Sequence, residues 1–280
     1  MRKVILVGWM MVMVMSLSLF ATNLVVRGSN TVYPITQLWL EAFKEMDPEV
    51  VATLEGAGSS TGIRGLFNET TDIANSSRFL SAREIEDMNQ AGRYFVPLVI
   101  AYDGIAVVAN KSNPIEEISL ETLKAIYTGT INNWNQIDPN LPSGRIAVFS
   151  RSTASGTYET WSEKVLLNER MHPSVQVVES TQAEVENIRR NVNSIAYIGL
   201  GYVTDELKVL RVNGISCTVD NVLTGLYPIS RPLFMFFDLK PFGFKWPDQG
   251  VVSDFITFAL SPKGQALVAQ AGYIPAYGDK

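Results

Sequence analysis

Strand-like and helix-like segments alternate along the 280-residue chain, and this alternation restricts the fold more than any other feature. Short apolar runs such as NLVVRG (23–28) and RIAVFSR (145–151) have the composition of buried strands, whereas ITQLWLEAFKEM (35–46) has apolar residues at helical spacing. SLETLKAIYTG (119–129) is another predicted helix, with Ser119 at its N-cap. Such a chain is predicted to form an α/β protein with mixed, mostly parallel sheets flanked by helices.

Two long β-rich runs, residues 96–110 and 195–203, lie about one third and two thirds along the chain. We interpret them as segments that cross between two lobes. The first lobe is predicted to hold residues 22–100 and 225–280, and the second lobe residues 101–224. A ligand is then expected in the cleft between the lobes, at the carboxyl ends of the strands.

The N-terminal segment, residues 1–21, is predicted to be a secretory signal peptide. It begins with Met-Arg-Lys, continues as an apolar run and ends at the small residue Ala21, where we expect cleavage, although Leu19 matches the cleavage rule loosely. The run is also long enough for a retained membrane anchor, which stays an alternative. The single cysteine, Cys217, lies far from this segment, which excludes a lipid anchor at the cleavage site and an intramolecular disulfide. The predicted location is the periplasm.

Composition excludes several classes of function. The net charge is −5 and no long basic run occurs, which argues against nucleic acid as a partner. The only histidine, His172, lies in a polar stretch, which disfavours a catalytic triad at GSSTG (58–62) and a histidine-rich metal centre. An all-carboxylate magnesium site stays compatible with the sequence. Asp72 and Asp103 are isolated acids, and we predict that they are structural acceptors and not general bases.

Four segments share one design, in which a strand leads to a turn rich in Gly, Ser and Thr and, in most cases, to a helix. Small residues let the backbone approach a ligand closely, and helix starts offer N–H groups and hydroxyls that favour an anion. One such turn is weak evidence because Ser and Thr are also common N-caps, but four together favour an anion site. The segments are RGSNTVYP (27–34), EGAGSSTGI (55–63), DIANSSR (72–78) and SRSTASGTYE (150–159).

An arginine accompanies the last of these turns. Arg151 ends a predicted strand four residues before Ser155-Gly156-Thr157. Its guanidinium would add a fixed charge and two parallel donors for the oxygens of an anion, whereas a surface ion pair is the alternative. Arg231, in YPISRPLF, is a second candidate cation, for which we favour a structural ion pair. The pattern predicts a site for a tetrahedral oxyanion.

The order of the motifs resembles that of the periplasmic phosphate-binding proteins of phosphate ABC transporters, from about residue 25 to residue 276. The resemblance implies a two-lobed type II periplasmic-binding-protein fold with two crossing segments. It also implies a monomeric, non-enzymatic receptor without cofactor or metal, which binds inorganic phosphate and delivers it to a membrane permease. The matching motifs are GSNTVYP, EGAGSSTGI, DIANSSR, AYDGIAVVANKSNP, IYTGTINNW, SRSTASGT, AYIGLGYV, YPISRP, LSPKGQ and GYIP.

The resemblance also implies which residues contact phosphate, through hydroxyls, backbone N–H groups and one guanidinium. In chain order they are Ser29, Thr31, Val32, Ser59, Ser60, Ser77, Arg151, Ser155, Gly156 and Thr157.

Two positions depart from the family pattern. Ser77, followed by Arg78, stands where many members have an aspartate that accepts the phosphate proton, and a hydroxyl accepts that proton less selectively. Thr153 stands where relatives often have an acid beside the arginine. Three alternatives therefore stay open, namely a receptor for sulfate, molybdate or tungstate, a phosphatase on the same fold, and a sensory or adhesive protein without a transporter.

Overall fold

The computed structural model describes residues 22–141 and 143–278. The predicted signal peptide and the alternative membrane anchor, residues 1–21, both lie outside these residues. Within them, no helix combines the length and the apolar character that crossing a membrane requires.

The predicted alternation of strands and helices is confirmed. The strands are β1 (Thr22–Gly28), β2 (Val50–Gly56), β3 (Ile73–Ser76), β4 (Phe95–Asn110), β5 (Glu117–Ile118), β6 (Ala147–Arg151), β7 (Gln176–Val178), β8 (Ser194–Gly199), β9 (Leu207–Val209), β10 (Arg211–Val212), β11 (Ser230–Asp238) and β12 (Ile274–Pro275). The helices are α1 (Tyr33–Met46), α2 (Ser59–Phe67), α3 (Ala82–Gln90), α4 (Leu120–Tyr127), α5 (Gly156–Trp161), α6 (Thr181–Arg190), α7 (Val219–Leu223), α8 (Val251–Leu260) and α9 (Pro262–Gln270).

The strands form a mixed sheet in the order β2-β1-β3-β11-β4-β8-β6-β7, with β12 and β9 also paired to β4. Strand β1 runs parallel to β2 and β3, and β6 runs parallel to β7 and β8. Strands β4 and β11 run antiparallel to each other and to their other neighbours. The two predicted sheets are thus joined through β4.

Strand β4 spans both parts of the molecule, as predicted for residues 96–110. Its first part pairs with β11 and β12, and its last part, residues 105–110, pairs with β8 and β9. The expected second crossing at residues 195–203 is wrong, because β8 pairs with β4 and β6 in the same part of the sheet. Strand β8 is apolar because it is buried along its whole length. The chain returns after α7, where Ser230 of β11 pairs with Gly104.

Two large apolar cores divide the chain in the same way. We call residues 22–104 and 230–278 the terminal half, and residues 105–229 the central half. Trp39 anchors the core of the terminal half, where it is fully buried and its indole N–H donates to the Gly264 carbonyl at 2.7 Å. In the central half Trp161 stacks on Tyr197, with ring centroids 4.1 Å apart. Burial of these large side chains stabilises each half separately.

Local sequence explains the ends of several elements. Ser119 caps α4 by accepting from the Thr122 N–H at 2.9 Å, as predicted, and its hydroxyl also shares a hydrogen bond with the Thr122 hydroxyl. Residues 230–238, which are rich in phenylalanine, form the largely buried strand β11.

Candidate functional site

The first turn lies between β1 and α1. The Ser29 hydroxyl accepts from the backbone N–H groups of Thr31 at 3.1 Å and Val32 at 3.4 Å, which holds the start of the helix. The Ser29 N–H donates to the Asn75 carbonyl at 2.9 Å, so the turn is fastened to β3. Gly28 has a φ of +133°, which a residue with a side chain rarely adopts. As a result the Thr31 hydroxyl is held in one buried position, whereas the Val32 side chain joins the apolar core.

The second and third turns contact each other. Ser59 is the first residue of α2, and its hydroxyl accepts from the Ser77 N–H at 3.0 Å and lies 3.3 Å from the Ser77 hydroxyl. Gly58 precedes the helix with a φ of +94°, and its N–H donates to the Gly28 carbonyl at 2.8 Å. The second turn is thereby joined to the first turn.

The fourth turn comes from the central half and faces the other three. Ser155 caps α5 by accepting from the N–H groups of Thr157 at 3.2 Å and Tyr158 at 3.4 Å. A Cβ atom on Gly156 would lie 2.5 Å from the Ser59 hydroxyl and 2.7 Å from that of Ser77, so only glycine fits here. The structure thus brings the four predicted turns together.

Four hydroxyl groups meet at the centre, and we call Thr31, Ser59, Ser77 and Thr157 the hydroxyl cluster. The Thr31 and Thr157 oxygens lie 2.9 Å apart, and each of the four residues is at most 3% exposed. Ser59 and Gly156 are also the first residues of their helices, so their backbone N–H groups lack intrahelical acceptors. The cluster is therefore a dry group of donors at two helix starts, where an anion is favoured.

Arg231 is the guanidinium that reaches the hydroxyl cluster. Its Nη2 donates to Thr157 Oγ1 at 3.0 Å and to Thr31 Oγ1 at 3.4 Å, and its Nη1 donates to the Ser77 carbonyl at 3.2 Å. Its Nε and Nη2 donate to Asp103 Oδ2 at 3.0 and 2.8 Å. The structural ion pair that we favoured for Arg231 is confirmed, but its contact with the site could not be predicted from the sequence.

Asp103 is fully buried behind this arginine. Its Oδ1 accepts from the Leu200 N–H at 2.9 Å, so both carboxylate oxygens have donors. Burial raises the pKa of Asp103, and the Arg231 charge and the Leu200 N–H oppose that rise. The prediction of a structural acceptor is confirmed here and also at Asp72, which accepts from the Val25 N–H at 2.7 Å.

Arg151 makes its contacts beside the hydroxyl cluster. Its guanidinium donates to the carbonyls of Val178 at 3.2 Å and Glu179 at 2.7 Å and to the Thr181 hydroxyl at 2.7 Å. With the Asn30 amide turned so that both of its atoms have partners, its oxygen accepts from Arg151 Nη2 at 3.0 Å. Arg151 thus joins the central half to the residue before Thr31, and its direct contact with an anion stays a prediction.

A second polar group, which we call the rim network, consists of Ser60, Arg78, Glu84 and Glu159. Arg78 donates to both oxygens of Glu84 at 2.7 and 2.8 Å and to the Ser60 hydroxyl at 2.8 Å, and its Nε pairs with Glu159. Ser60 also donates to Glu159 at 3.1 Å. Because Glu159 belongs to the central half and the other three to the terminal half, the network connects the halves beside the cluster. The structure places Ser60 in this network.

His172 lies outside the hydroxyl cluster, and its Nδ1 lies 2.8 Å from the Ser174 hydroxyl oxygen. Among residues 22–141 and 143–278, no three His, Cys, Asp or Glu side chains group to hold a metal ion. What the site offers is a set of hydroxyls, backbone N–H groups and a guanidinium, which suits a tetrahedral oxyanion.

Comparisons of the sequence with known proteins identify relatives that bind phosphate. The sequence profile of the PBP superfamily domain matches residues 20–263. The phosphate-binding protein PstS of Borreliella burgdorferi is 31% identical over 261 residues, which cover 89% of this chain and 88% of that protein. The PstS of Pseudomonas aeruginosa is 28% identical over 270 residues, which cover 90% of this chain and 83% of that protein.

Solved structures that resemble this chain are also proteins of phosphate transport. The substrate-binding protein of a phosphate ABC transporter from Clostridium perfringens, crystallised with bound phosphate, is 32% identical and superposes with a TM-score of 0.81 over 91% of this chain and 100% of that one. A phosphate transport receptor from Vibrio cholerae is 28% identical, with a TM-score of 0.70 over 90% of this chain and 99% of that one. The chain therefore belongs to the PBP superfamily and, within it, to the phosphate-binding proteins with the type II periplasmic-binding-protein fold.

Proposed function

We propose that this protein binds inorganic phosphate at the hydroxyl cluster and delivers it to the membrane permease of an ABC transporter. One observation carries the proposal. Thr31 and Thr157, from opposite halves of the molecule, place their hydroxyl oxygens 2.9 Å apart in a buried position. Relatives over nearly the whole chain are phosphate-binding proteins, and the chemistry of the cluster suits the same ligand.

The expected contacts follow from the donors that face the cluster. The N–H groups of Ser59 and Gly156 are unused within their helices, and the hydroxyls lie in two contacting pairs, Thr31 with Thr157 and Ser59 with Ser77. Hydrogen bonds to an ionised phosphate are charge-assisted and are stronger in a site without water. Ser29 and Ser155 contribute by holding the helix starts in place.

We further propose that the terminal and central halves are the two lobes, close to the predicted boundaries at residues 100 and 225. β4 and the segment leading into β11 join them. Because the cluster takes hydroxyls from both lobes, a bound phosphate stabilises the closed arrangement over an open one. The closed surface is then what the permease recognises.

The proposal includes a monomer that acts outside the cytoplasm after residues 1–21 are removed, and that has neither cofactor nor catalytic activity. Its relatives are binding proteins, and the cluster combines donors without a histidine base. We expect no hydrolysis of a phosphomonoester with or without divalent metal ions, and hydrolysis that depends on Ser59 or Ser60 would contradict this part.

The alternative ligand is another tetrahedral oxyanion. Ser77 stands where many members of the family have an acid, and both carboxylate oxygens of Asp103 already accept hydrogen bonds from protein groups. Calorimetry on protein that has been unfolded, dialysed and refolded separates these ligands. Phosphate, sulfate and molybdate are titrated across the pH range in which phosphate changes from monoanion to dianion. We expect phosphate to bind most tightly throughout, and tighter binding of sulfate or molybdate would overturn the choice of ligand.

A further inference from the structure

Arg231 and Asp103 form a cross-strand pair at the junction of the two halves. They lie directly opposite each other in the register of β11 and β4, and their side chains are 4% and 0% exposed. From this position Arg231 Nη2 donates to the hydroxyl oxygens of both Thr31 and Thr157. One guanidinium nitrogen therefore contacts the two threonines that come from opposite halves.

Three of the other four hydrogens of the guanidinium are directed at protein groups. Nε and one hydrogen of Nη2 are directed at Asp103, and Nη1 is directed at the Ser77 carbonyl. The Asp103 carboxylate also offsets the charge of Arg231 at close range. Arg231 is thus arranged to act on its protein neighbours and not as a free positive charge in the site.

A hydroxyl group has one proton and two lone pairs. When its oxygen accepts an N–H from one side, its proton points elsewhere. Without Arg231, the Thr31 and Thr157 hydroxyls, 2.9 Å apart, would satisfy each other, and one proton would be spent between them. The guanidinium N–H donates to both oxygens and so bridges them, which lets both protons turn to an anion when one is bound.

We propose that Arg231 is a positioning residue that directs the O–H bonds of Thr31 and Thr157 towards the bound anion, and that Asp103 holds Arg231 in place for this purpose. The inference rests on the proposed function, since it assigns to the phosphate site a residue that acts through the hydroxyls. It makes these two threonines donors only, so the site prefers ligand oxygens that carry no proton.

A double-mutant cycle tests the inference. Phosphate affinity is measured by calorimetry for the wild type, Thr157→Val, Arg231→Met and the double variant. We expect each single change to weaken binding about tenfold or more, since each removes donation to a charged ligand. We also expect the loss of phosphate affinity caused by Thr157→Val to be several-fold smaller in the Arg231→Met background than in the wild type. If the loss of affinity in the double variant equals the product of the two single losses, Arg231 does not act through the hydroxyl, and the proposal is overturned.

Arg231→Lys separates positioning from charge. It keeps the positive charge, but a single ammonium group lacks the fork that reaches Asp103 and both threonines together. We expect Arg231→Lys to bind phosphate as weakly as Arg231→Met, and both to lose part of the preference for the dianion, because the two threonines can then accept as well as donate. Wild-type affinity together with the wild-type preference in Arg231→Lys would show that charge alone matters and would overturn the proposal.

Folding is controlled in two ways. Arg231→Met leaves Asp103 unpaired in the interior, which is destabilising, so the cycle is repeated on Asp103→Leu with Arg231→Met, where no lone charge remains. Arg93 is the matched control, because it is a buried arginine paired with Asp238 at 2.6 Å in the terminal half. Arg93→Met should lower the melting temperature and leave phosphate affinity unchanged.

Wild-type protein that binds sulfate and not phosphate would overturn only the choice of ligand, and the cycle is then measured with sulfate. Wild-type protein that binds no oxyanion would overturn both proposals.

Discussion

The hydroxyl oxygens of Thr31 and Thr157 lie 2.9 Å apart, although 126 positions separate the two residues in the chain. Thr31 lies in the turn just before α1 of the terminal half, and Thr157 lies in the first turn of α5 of the central half. The two halves therefore contact each other at these residues, and the candidate site lies at that contact.

Thr31→Val is expected to weaken phosphate binding about tenfold or more, because it removes one donor to a charged ligand. The side chain keeps its volume, so the melting temperature should change little. Calorimetry and thermal unfolding measure the two effects. Thr128→Val is the matched control, since the Thr128 hydroxyl donates to the Lys124 carbonyl outside the site. Unchanged affinity in Thr31→Val would remove this hydroxyl from the site.

Gly156→Ala is expected to abolish measurable phosphate binding while the protein still folds. The added Cβ would lie 2.5 Å from the Ser59 hydroxyl and 2.7 Å from the Ser77 hydroxyl, so the two halves are held apart. Gly144→Ala is the control, because the nearest atoms to its Cβ would belong to the Asn193 side chain, outside the hydroxyl cluster. Small-angle scattering should show a more extended Gly156→Ala protein with phosphate present, and wild-type compactness would contradict this account.

Glu159→Gln is expected to speed phosphate release several-fold, because Glu159 is the central-half member of the rim network. Burial raises the pKa of Glu159, against the opposing effect of Arg78 and Ser60. As the pH falls through this raised pKa, wild-type Glu159 is neutralised and its ion pair with Arg78 is lost. Release from the wild type should therefore accelerate at mildly acidic pH.

Stopped-flow measurements over a pH series test this expectation. The acceleration that comes from Glu159 should be missing in Glu159→Gln, whereas the titration of phosphate itself affects both proteins equally. Glu163→Gln, an exposed acid one turn further along the same helical segment, is the control. Identical pH profiles for the wild type and Glu159→Gln would show that the network does not hold the closed state.

Glu84→Gln is expected to lower stability by about 1–2 kcal/mol at neutral pH, because Glu84 completes the capping box with Ser81 and receives two hydrogen bonds from Arg78. Burial acts to raise the pKa of Glu84, but the hydrogen bonds from Arg78 and Ser81 outweigh it and hold this pKa below its ordinary value. A carboxyl group with a lowered pKa in the folded state stabilises the protein above the unfolded-state pKa.

This contribution is lost as the pH falls through the lowered pKa of the folded state. Urea unfolding of the wild type and Glu84→Gln at several pH values should therefore give curves that converge in acid. Glu86→Gln, on the same helix, is the control for the loss of a negative charge. A difference in stability that does not depend on pH would contradict the assignment.

Arg151→Lys is expected to lower both the melting temperature and the phosphate affinity. The three N–H donors of lysine sit on one nitrogen and cannot reach Val178, Glu179 and Thr181 together, as the three guanidinium nitrogens do, so some of these acceptors lose their partner. The loop that carries Thr157 follows directly and should lose its position. A variant with normal stability and weak binding would instead indicate direct contact between Arg151 and phosphate.

Much of the site could be predicted from local sequence. Ser29, Ser59 and Ser155 stand at helix starts, where a hydroxyl before or within the first turn has a known role, and their turns contain glycines that the backbone requires. Helices α3 and α6 were not predicted. Helix α3 buries only Met88 and has few apolar residues, although its capping box at Ser81 and Glu84 is present in the sequence.

The part played by arginines depended on packing that no local pattern shows. Arg231 meets the turn of Thr31 only because β11 pairs antiparallel with β4, in a register that places Arg231 opposite Asp103. Arg151 is directed towards Glu179 because β7 and α6 lie beside its strand. A long side chain has several directions open to it, and its neighbours choose among them.

By itself, the sequence determined the α/β alternation, the helix starts and the hydroxyl-bearing turns, because periodicity, capping and glycine conformations act over a few residues. Only the tertiary structure decided that Thr31 and Thr157 share one site and that Arg231 is the guanidinium between them. These contacts join residues far apart in the chain, and they exist because the pairing of β4 with β11 and the closure of the two halves bring those residues together.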